Sequence, residues 1–434
     1  MAEVAAHGAH AVRIRWSVRL FGVLTACAAL MPFVPGADVG TGVFVVALAA
    51  FLVHALLVNG VIHFPSSGAM RGRSIAIVAF LGLSVASVTW FLAEGGEVSQ
   101  WLRAVVPFFF FSLYLLTPRL TPGEANHIAK ALLLACALWS LKVFLELVFA
   151  FRSLGIVMFL NRLTFFVPDS VIVFPLIAIP LLLFSDLVRS RLLTALAISW
   201  FVILYVWIGY RGGLIIVLGC FLIRFILTDI AKKALITVLA LAALASSASM
   251  SGFELVDQLA ERYATLFDEE SDGVRSAELA FAWESGASSP IFGKGLGWQV
   301  PFEVAFKGVD VAQLGDQAAR ASVGYIHSMP GYFFMNLGLV GLILALACYL
   351  PWRFSPSLLA RRDVGAAAAL ACLCVFTFSL TQASFRNIQA IILTVALAKI
   401  SDSCSAWRPV GGRGRRNKLT CAANGCKATP GAIL

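Results

Sequence analysis

The chain is poor in charged side chains. Lys, Arg, Asp and Glu make up 13% of its 434 residues, and hydrophobic residues make up 60%, whereas soluble domains carry about 25% charged residues. The mean hydropathy is accordingly high, at +0.89. A water-soluble core cannot bury that much apolar surface. The composition therefore excludes an ordinary soluble enzyme and predicts a chain that crosses a bilayer many times.

Apolar runs of spanning length recur along the whole chain. A transmembrane helix needs about 20 mostly apolar residues. The runs that fit this requirement cover residues 16–35, 40–62, 74–93, 101–117, 128–151, 169–187, 192–209, 211–230, 233–250, 331–350, 364–381 and 385–400. The sequence therefore predicts an all-α polytopic membrane protein with about 12 transmembrane helices.

The basic residues orient these predicted spans. With the N-terminus inside, the inner segments hold 22 of the 33 Lys and Arg residues and the outer segments hold 10, while Lys142 lies within a span. Cytoplasmic loops of membrane proteins carry such an excess of basic residues. Both termini are therefore predicted to be cytoplasmic, and the basic face is expected to meet membrane lipids rather than nucleic acid.

Cysteine is absent from the outer segments of this map. The nine cysteines fall in predicted spans and in the C-terminal tail, so we expect no disulfide framework. Cys372 and Cys374 lack the paired spacing of zinc ligands. The glycines of residues 293–297 also lack the spacing of an NTPase phosphate loop. We therefore expect neither a metal nor a cofactor.

One outer segment, residues 251–330, is acidic, with 12 acidic and five basic residues. Apolar residues recur from Phe253 to Phe267 at three- and four-residue steps, which predicts an amphipathic helix on the membrane surface. A second short helix is expected over residues 275–286, followed by a glycine-rich turn over Pro290–Gly297. The predicted organisation is spans 1–9 in residues 1–250, this loop in 251–330, spans 10–12 in 331–400, and a basic disordered tail in 401–434.

Histidine is scarce, and His327 is the only histidine after His127. It stands directly before an apolar run, at the outer end of the tenth predicted span. A histidine at a span end is often only an interfacial polar residue. With an ordinary pKa of about 6.5, it can also take a proton from a hydroxyl group, so His327 is a candidate catalytic base.

Arginines from distant segments are expected on the same outer face. Arg211 is followed by Gly212 and Gly213, which leave backbone amides open at a helix N-terminus. Guanidinium, amides and helix dipole all favour an anionic oxygen at that point. An interfacial arginine can also simply anchor lipid phosphate. The other arginines considered for this face are Arg162, Arg275 and Arg386.

Two further patterns have alternative interpretations. The acidic run Asp268–Asp272 is a candidate for a divalent cation, but a solvated turn is the simpler interpretation. Lys142 and Glu146 lie four residues apart on one helix face inside a predicted span. They either neutralise each other or, in a transporter, form a coupling site.

The motifs of residues 160–350 occur in a characteristic order. They are Arg162-Leu-Thr-Phe-Phe-Val-Pro-Asp before a span, Tyr210-Arg-Gly-Gly at a span junction, Arg275-x7-Trp283, Pro290-x-x-Gly-x-Gly-x-Gly, and His327 followed by Asn336-Leu-Gly-Leu-Val-Gly. In this order, around one large outer loop, the chain resembles the O-antigen ligase and Wzy-type polysaccharide polymerase superfamily of bacterial membrane glycosyltransferases.

The resemblance implies glycan transfer from undecaprenyl diphosphate to an acceptor sugar at the periplasmic face of the inner membrane. It also implies a fold like that of C-type glycosyltransferases, with one large periplasmic loop, and catalysis without a metal. His327 would activate or hold the acceptor hydroxyl. Arg211 and Arg275 would hold the donor diphosphate. Supporting roles would fall to Arg162, Arg386, Gly212 and Gly213.

Three kinds of function stay open at this point. A ligase would attach finished glycan to lipid A–core, and we favour it, whereas a polymerase would lengthen the glycan on its carrier. A lipid-glycan flippase or other transporter would need ionisable residues in the middle of the membrane. A structural partner in an envelope complex would need neither His327 nor Arg211.

Overall fold

The computed structural model describes residues 2–30, 39–59, 68–166, 173–208, 211–227, 269–299, 326–352, 354, 356–360 and 362–405. Within these ranges the chain forms helices and turns, and no strand is present. The predicted span over 233–250, the predicted amphipathic helix from Phe253 to Phe267 and the tail beyond 405 lie outside the described residues.

The helices are numbered α1 to α14 in chain order. The first seven are α1 Ala2–Cys27, α2 Val39–Asn59, α3 Gly68–Ala93, α4 Val98–Phe109, α5 Ser112–Leu116, α6 Pro122–Phe166 and α7 Val173–Phe184. The others are α8 Arg191–Ile208, α9 Arg211–Ile226, α10 Glu269–Ala287, α11 Met329–Tyr349, α12 Pro356–Ala360, α13 Val364–Ser379 and α14 Ile388–Ser405. Short 3₁₀ turns cover Ala28–Leu30 and Ala383–Arg386.

Polar caps begin several of these apolar helices. At the start of α6, the Thr121 N–H donates to Glu124 Oε2 at 2.8 Å, and the Glu124 N–H donates to Thr121 Oγ1 at 3.3 Å. This reciprocal pair is a capping box, which satisfies amides that the first helical turn leaves open. Asp363 caps α13 in a similar way, because its Oδ1 accepts the Ala366 N–H at 3.0 Å.

Three helices form the centre of the molecule. Helix α13 packs against α7 and α14, and nearly all side chains of α7 and most of those of α13 and α14 are buried. The peripheral helices instead expose large apolar side chains, among them Val46 at 69%, Leu57 at 80% and Leu192 at 70% exposure. Such faces are unfavourable in water, so they are surfaces for lipid.

Several described helices could cross a bilayer. Four stretches are both long and apolar enough, namely Met70–Ala93, Val98–Leu116 (α4 followed by α5), Pro122–Leu145 and Met329–Tyr349. Shorter apolar helices cover Thr41–Leu57, Val173–Phe184, Arg191–Ile203, Gly212–Ile226 and Val364–Ser379. The prediction of a helical membrane protein is confirmed, and the total of twelve spans stays a prediction.

Helix α6 is longer than the sequence suggested. The predicted span ended at residue 151 and was followed by a loop, whereas α6 is one helix of 45 residues from Pro122 to Phe166. At 1.5 Å per residue it is about 68 Å long, more than twice the thickness of the hydrocarbon core. After Pro122 no proline occurs until Pro168. The charge of Arg152 interrupts the apolar run, but it does not end the helix.

Helix α14 also continues past the predicted boundary at 400. Residues 401–405 belong to the helix rather than to the tail, and Asp402 is fully buried. Its Oδ2 accepts Arg73 Nε–H at 2.6 Å and the Tyr114 hydroxyl at 2.8 Å. Arg73 and Lys399, two of the 22 basic residues assigned to the inner segments, are therefore interior residues, at 0% and 2% exposure.

Two groups of long-range polar contacts lie near opposite ends of α11. Near its N-terminus lie His327 with Glu278 and Lys294 with Glu94, which we call the His327 end. At its C-terminus the Arg73 guanidinium donates to the carbonyl groups of Cys348 and Leu350, which we call the Asp402 end.

Candidate functional site

A histidine–carboxylate pair lies at the His327 end. His327 Nδ1 is 2.8 Å from Glu278 Oε2, and the backbone N–H of His327 donates to the same oxygen at 3.3 Å. The Glu278 side chain is only 5% exposed, whereas that of His327 is 20% exposed. The carboxylate is thus covered by protein, and the imidazole reaches towards the surface.

Packing between α10 and α11 brings these two residues together. The Trp283 ring lies 4.6 Å from the Phe334 ring, and a β-carbon at Gly331 would lie 3.1 Å from that of Ala282. Glycine at 331 therefore lets the two helices approach closely. Glu278 lies on α10 one helical turn before Ala282, at the height where the chain enters α11.

Helix α11 is broken at Gly338, where φ is +65° and ψ is −165°. A residue with a β-carbon rarely adopts this conformation. The break leaves amides and carbonyls without partners inside the helix, and the turn after α10 supplies them. Lys294 N–H donates to Met335 O at 2.9 Å, and Gly295 N–H donates to Asn336 O at 2.8 Å.

The same turn also accepts hydrogen bonds from α11 beyond the break. Leu339 N–H donates to Pro290 O at 2.8 Å, and Val340 N–H donates to Ile291 O at 3.4 Å. Irregular backbone inside an apolar layer is tolerated only where protein satisfies its polar groups. The turn predicted over Pro290–Gly297 is therefore a structural insert that fixes the first part of α11, and with it His327.

The turn is also anchored to the hairpin between α3 and α4. Lys294 Nζ lies 3.3 Å from Glu94 Oε1. Gly297 has a φ of +87°, and a β-carbon there would lie 2.9 Å from the Gln100 carbonyl oxygen. Three distant segments, α3–α4, α10 with its turn, and α11, thus support the histidine–glutamate pair.

Arg386 lies close to the same part of α11. Its guanidinium carbon is 4.8 Å from the centre of the Tyr332 ring. The Tyr332 hydroxyl is buried and has no hydrogen-bond partner among the described residues. The predicted supporting residue Arg386 therefore lies beside the first turn of the helix that His327 precedes.

Helix α9 begins at Arg211 and packs against α13, where Cys220 Sγ and Cys374 Sγ are 3.5 Å apart.

The other predicted site residues fall as follows. Gly212 is exposed, and a β-carbon there would meet nothing within 4 Å, whereas Gly213 is buried. Arg275 lies on α10 one turn before Glu278, and Arg162 lies on α6. The side chains of Arg162, Arg211 and Arg275 are outside the described part of the structure, as is the side chain of Glu146.

Glu278 was missed by the sequence analysis. It is one of twelve acidic residues in the 251–330 segment, and no spacing distinguishes it from the others. Its role becomes apparent only from its burial and its contact with a residue 49 positions away. Among the described residues that were searched, no three His, Cys, Asp or Glu side chains come together as metal ligands.

The pair has a defined chemical capacity. An ionised Glu278 can accept a hydrogen bond from Nδ1–H of His327. In a neutral imidazole the lone pair is then on Nε2. A carboxylate in this position holds the ring in one orientation and stabilises the imidazolium that forms after proton transfer. The arrangement is therefore that of an oriented general base.

No protein-family model matches the chain, and no curated protein matches it. The functional assignment therefore depends on the order of the motifs and on the geometry at the His327 end.

Proposed function

We propose that the protein is a metal-independent glycosyltransferase of the O-antigen ligase type. It would move glycan from undecaprenyl diphosphate to a sugar of lipid A–core at the periplasmic face of the bacterial inner membrane. The observation that carries this proposal is the Glu278–His327 pair, with 2.8 Å between Oε2 and Nδ1. Arg386, whose guanidinium lies 4.8 Å from the Tyr332 ring on α11, adds to it.

In the proposed reaction, the acceptor hydroxyl lies against His327 Nε2. The hydroxyl oxygen bonds to the anomeric carbon of the donor as the bond from that carbon to the diphosphate oxygen breaks. The hydroxyl proton passes to Nε2, and the resulting imidazolium is stabilised by Glu278. It can then release the proton to solvent or to the departing diphosphate.

The leaving diphosphate gains negative charge during this step. Preplaced cations lower the energy of such a charge more in the transition state than in the ground state. We assign this role to Arg211 and Arg275, with Arg162, Arg386 and the amides of Gly212 and Gly213 in support.

A Wzy-type polymerase is the nearest alternative, because it would use the same donor and the same base with a different acceptor. Transport is less well supported. The buried ionisable residues Arg73, Tyr114, Lys399 and Asp402 lie at the Asp402 end and bond to one another or to backbone carbonyls. A buried polar network of this kind is typical of residues that hold helices together rather than of a substrate path.

The first experiment compares a strain without the protein with a strain that carries His327→Ala at normal membrane level. Long glycan stranded on undecaprenyl diphosphate in both strains supports a ligase that depends on His327. Single repeat units on the surface with no long chains support a polymerase. Normal surface glycan in the His327→Ala strain contradicts the catalytic role.

A second experiment tests Glu278 as a positioning residue. We expect Glu278→Ala to lower kcat about 100-fold with little change in KM, since general-base catalysis contributes roughly 10² to 10⁴. Glu278→Gln should retain part of the activity, because its amide oxygen can still accept from Nδ1. Glu284→Ala is the matched control, as Glu284 is exposed on the same helix. A wild-type kcat in Glu278→Ala would exclude this role.

A further inference from the structure

A second candidate site lies at the Asp402 end, between α1 and α6. It is a cavity of about 580 Å³. Its polar lining consists of Arg15, Arg19, Thr121, Glu124 and His127, and the rest of its lining of Val18, Gly22, Val23, Ala26, Gly123, Ile128, Ala131 and Leu134. The adjacent Leu120 N–H donates to Ser403 Oγ at 3.2 Å, which places the cavity near Asp402.

The lining is divided along the two helices. On α1 the arginines 15 and 19 stand one turn apart, and the residues that follow them in the lining are apolar. On α6 the polar lining residues end at His127, and the lining from Ile128 to Leu134 is apolar. The cavity therefore has a polar head and an apolar stem, which is the pattern of a phospholipid.

The head of the cavity is positively charged. Arg15 and Arg19 are both exposed, and the Arg19 guanidinium lies 5.0 Å from the Trp16 ring. Glu124 is the only carboxylate in the lining. It caps α6, since its Oε2 accepts both the N–H and the hydroxyl of Thr121 at 2.8 Å. The N-terminus of α6 adds the positive end of a helix dipole.

The stem is open towards lipid. A β-carbon at Gly22 would lie 3.4 Å from Ile128 Cδ1, so the two helices touch at this point and form the floor. Val23 and Leu134 on the walls are 52% and 53% exposed. An acyl chain can therefore enter from the side, along a wall that continues the lipid-facing surface.

We propose that this cavity binds one anionic phospholipid, with its phosphate at Arg15 and Arg19 and an acyl chain along the stem. Basic pockets between transmembrane helices bind anionic headgroups in this way. The apolar stem favours a lipid over a soluble phosphate, because a soluble ion would leave it unfilled. The proposal is independent of glycan transfer at the His327 end.

The test measures lipid binding to the full-length protein by native mass spectrometry in detergent. The probes are phosphatidylglycerol and phosphatidylcholine with identical acyl chains. We expect wild type to retain phosphatidylglycerol in preference. Each basic residue beside an anionic headgroup contributes roughly fivefold in affinity, so Arg15→Gln with Arg19→Gln should weaken binding about 30-fold. The matched control is Arg71→Gln with Arg189→Gln, two exposed cations outside the cavity.

A filling variant guards against effects on folding. Ala131→Trp keeps every charge but occupies the stem, and it should also weaken phosphatidylglycerol binding. Binding that is unchanged in both the double glutamine variant and Ala131→Trp would overturn the proposal. So would an equal loss in the Arg71/Arg189 control, which would indicate general surface attraction. Full displacement of the lipid by glycerol 3-phosphate would show a soluble-anion site instead.

Discussion

His327 and Glu278 differ in exposure, because the carboxylate is buried and the imidazole is partly exposed. A buried carboxylate is costly unless its oxygens are bonded, and Glu278 Oε2 is bonded by both the ring and the backbone N–H of His327. The imidazole is the more exposed partner. The glutamate thus bonds the histidine under a cover of protein, and the histidine is the member of the pair that reaches the surface.

The diphosphate role that we propose for Arg211 leads to a prediction at the residue scale. We expect Arg211→Lys to lower glycan transfer at least about tenfold, because a lysine point charge does not replace the planar guanidinium that contacts two oxygens together. The measurement is transfer rate in membranes at matched protein level, with Arg103→Lys, an exposed arginine in the middle of α4, as the control. Equal rates for lysine and arginine at 211 would contradict a two-oxygen contact.

At the scale of the elements, the broken helix α11 and the turn after α10 form one unit. The turn satisfies the backbone polar groups that the break at Gly338 exposes. Glycines with positive φ occur both in the turn and at the break. A straight helix would satisfy its own backbone but would leave the turn without partners. The break therefore couples the position of His327 to the 288–298 turn.

This coupling predicts the effect of a single methyl group at Gly338. A β-carbon there would lie 2.3 Å from the backbone of Ile291, and φ is already +65°. We expect Gly338→Ala to destabilise the protein by at least about 2 kcal/mol and to reduce glycan transfer.

Gly82→Ala is the control for this prediction. Gly82 lies on α3, and a β-carbon there would meet nothing within 4 Å, so alanine should stabilise the helix by about 0.5–1 kcal/mol. Thermal unfolding in detergent measures both variants. A Gly338→Ala protein as stable as Gly82→Ala would mean that the break is not required.

At the scale of the whole molecule, a buried ionic network joins helices from both halves of the chain. Arg73 on α3 bonds to Asp402 on α14, 329 residues away, and to the carbonyls that end α11. Lys399 Nζ donates to the Tyr114 carbonyl at 2.9 Å. The Asp402 end is thus held by charge-assisted hydrogen bonds between α3, α5, α11 and α14.

The network predicts a large loss of stability when one partner is removed. We expect Asp402→Ala to cost about 3–5 kcal/mol, because it leaves the Arg73 charge buried without its carboxylate. Asp186→Ala breaks the Arg362–Asp186 pair, whose side chains are 41% and 69% exposed, and should cost less than about 1 kcal/mol. Similar unfolding temperatures for the two variants would show that the buried network does not stabilise the fold more than an exposed ion pair does.

The sequence by itself determined the helical class and the membrane environment. Long apolar runs must leave water whatever partners they find, and a helix satisfies its own backbone in lipid. It also indicated the glycine-rich turn over Pro290–Gly297, because a turn depends on local residue types. The end of α6 was misplaced, since a charged residue changes hydropathy without changing the backbone preference for a helix.

Only the tertiary structure decided which polar groups act together. Glu278 meets His327 across 49 residues and Arg73 meets Asp402 across 329, and no local pattern encodes such separations. The same holds for the break in α11, because the groups that satisfy it belong to another segment. The chemical type of a side chain determines whether it favours water or lipid, whereas the residue that it contacts depends on how distant helices pack.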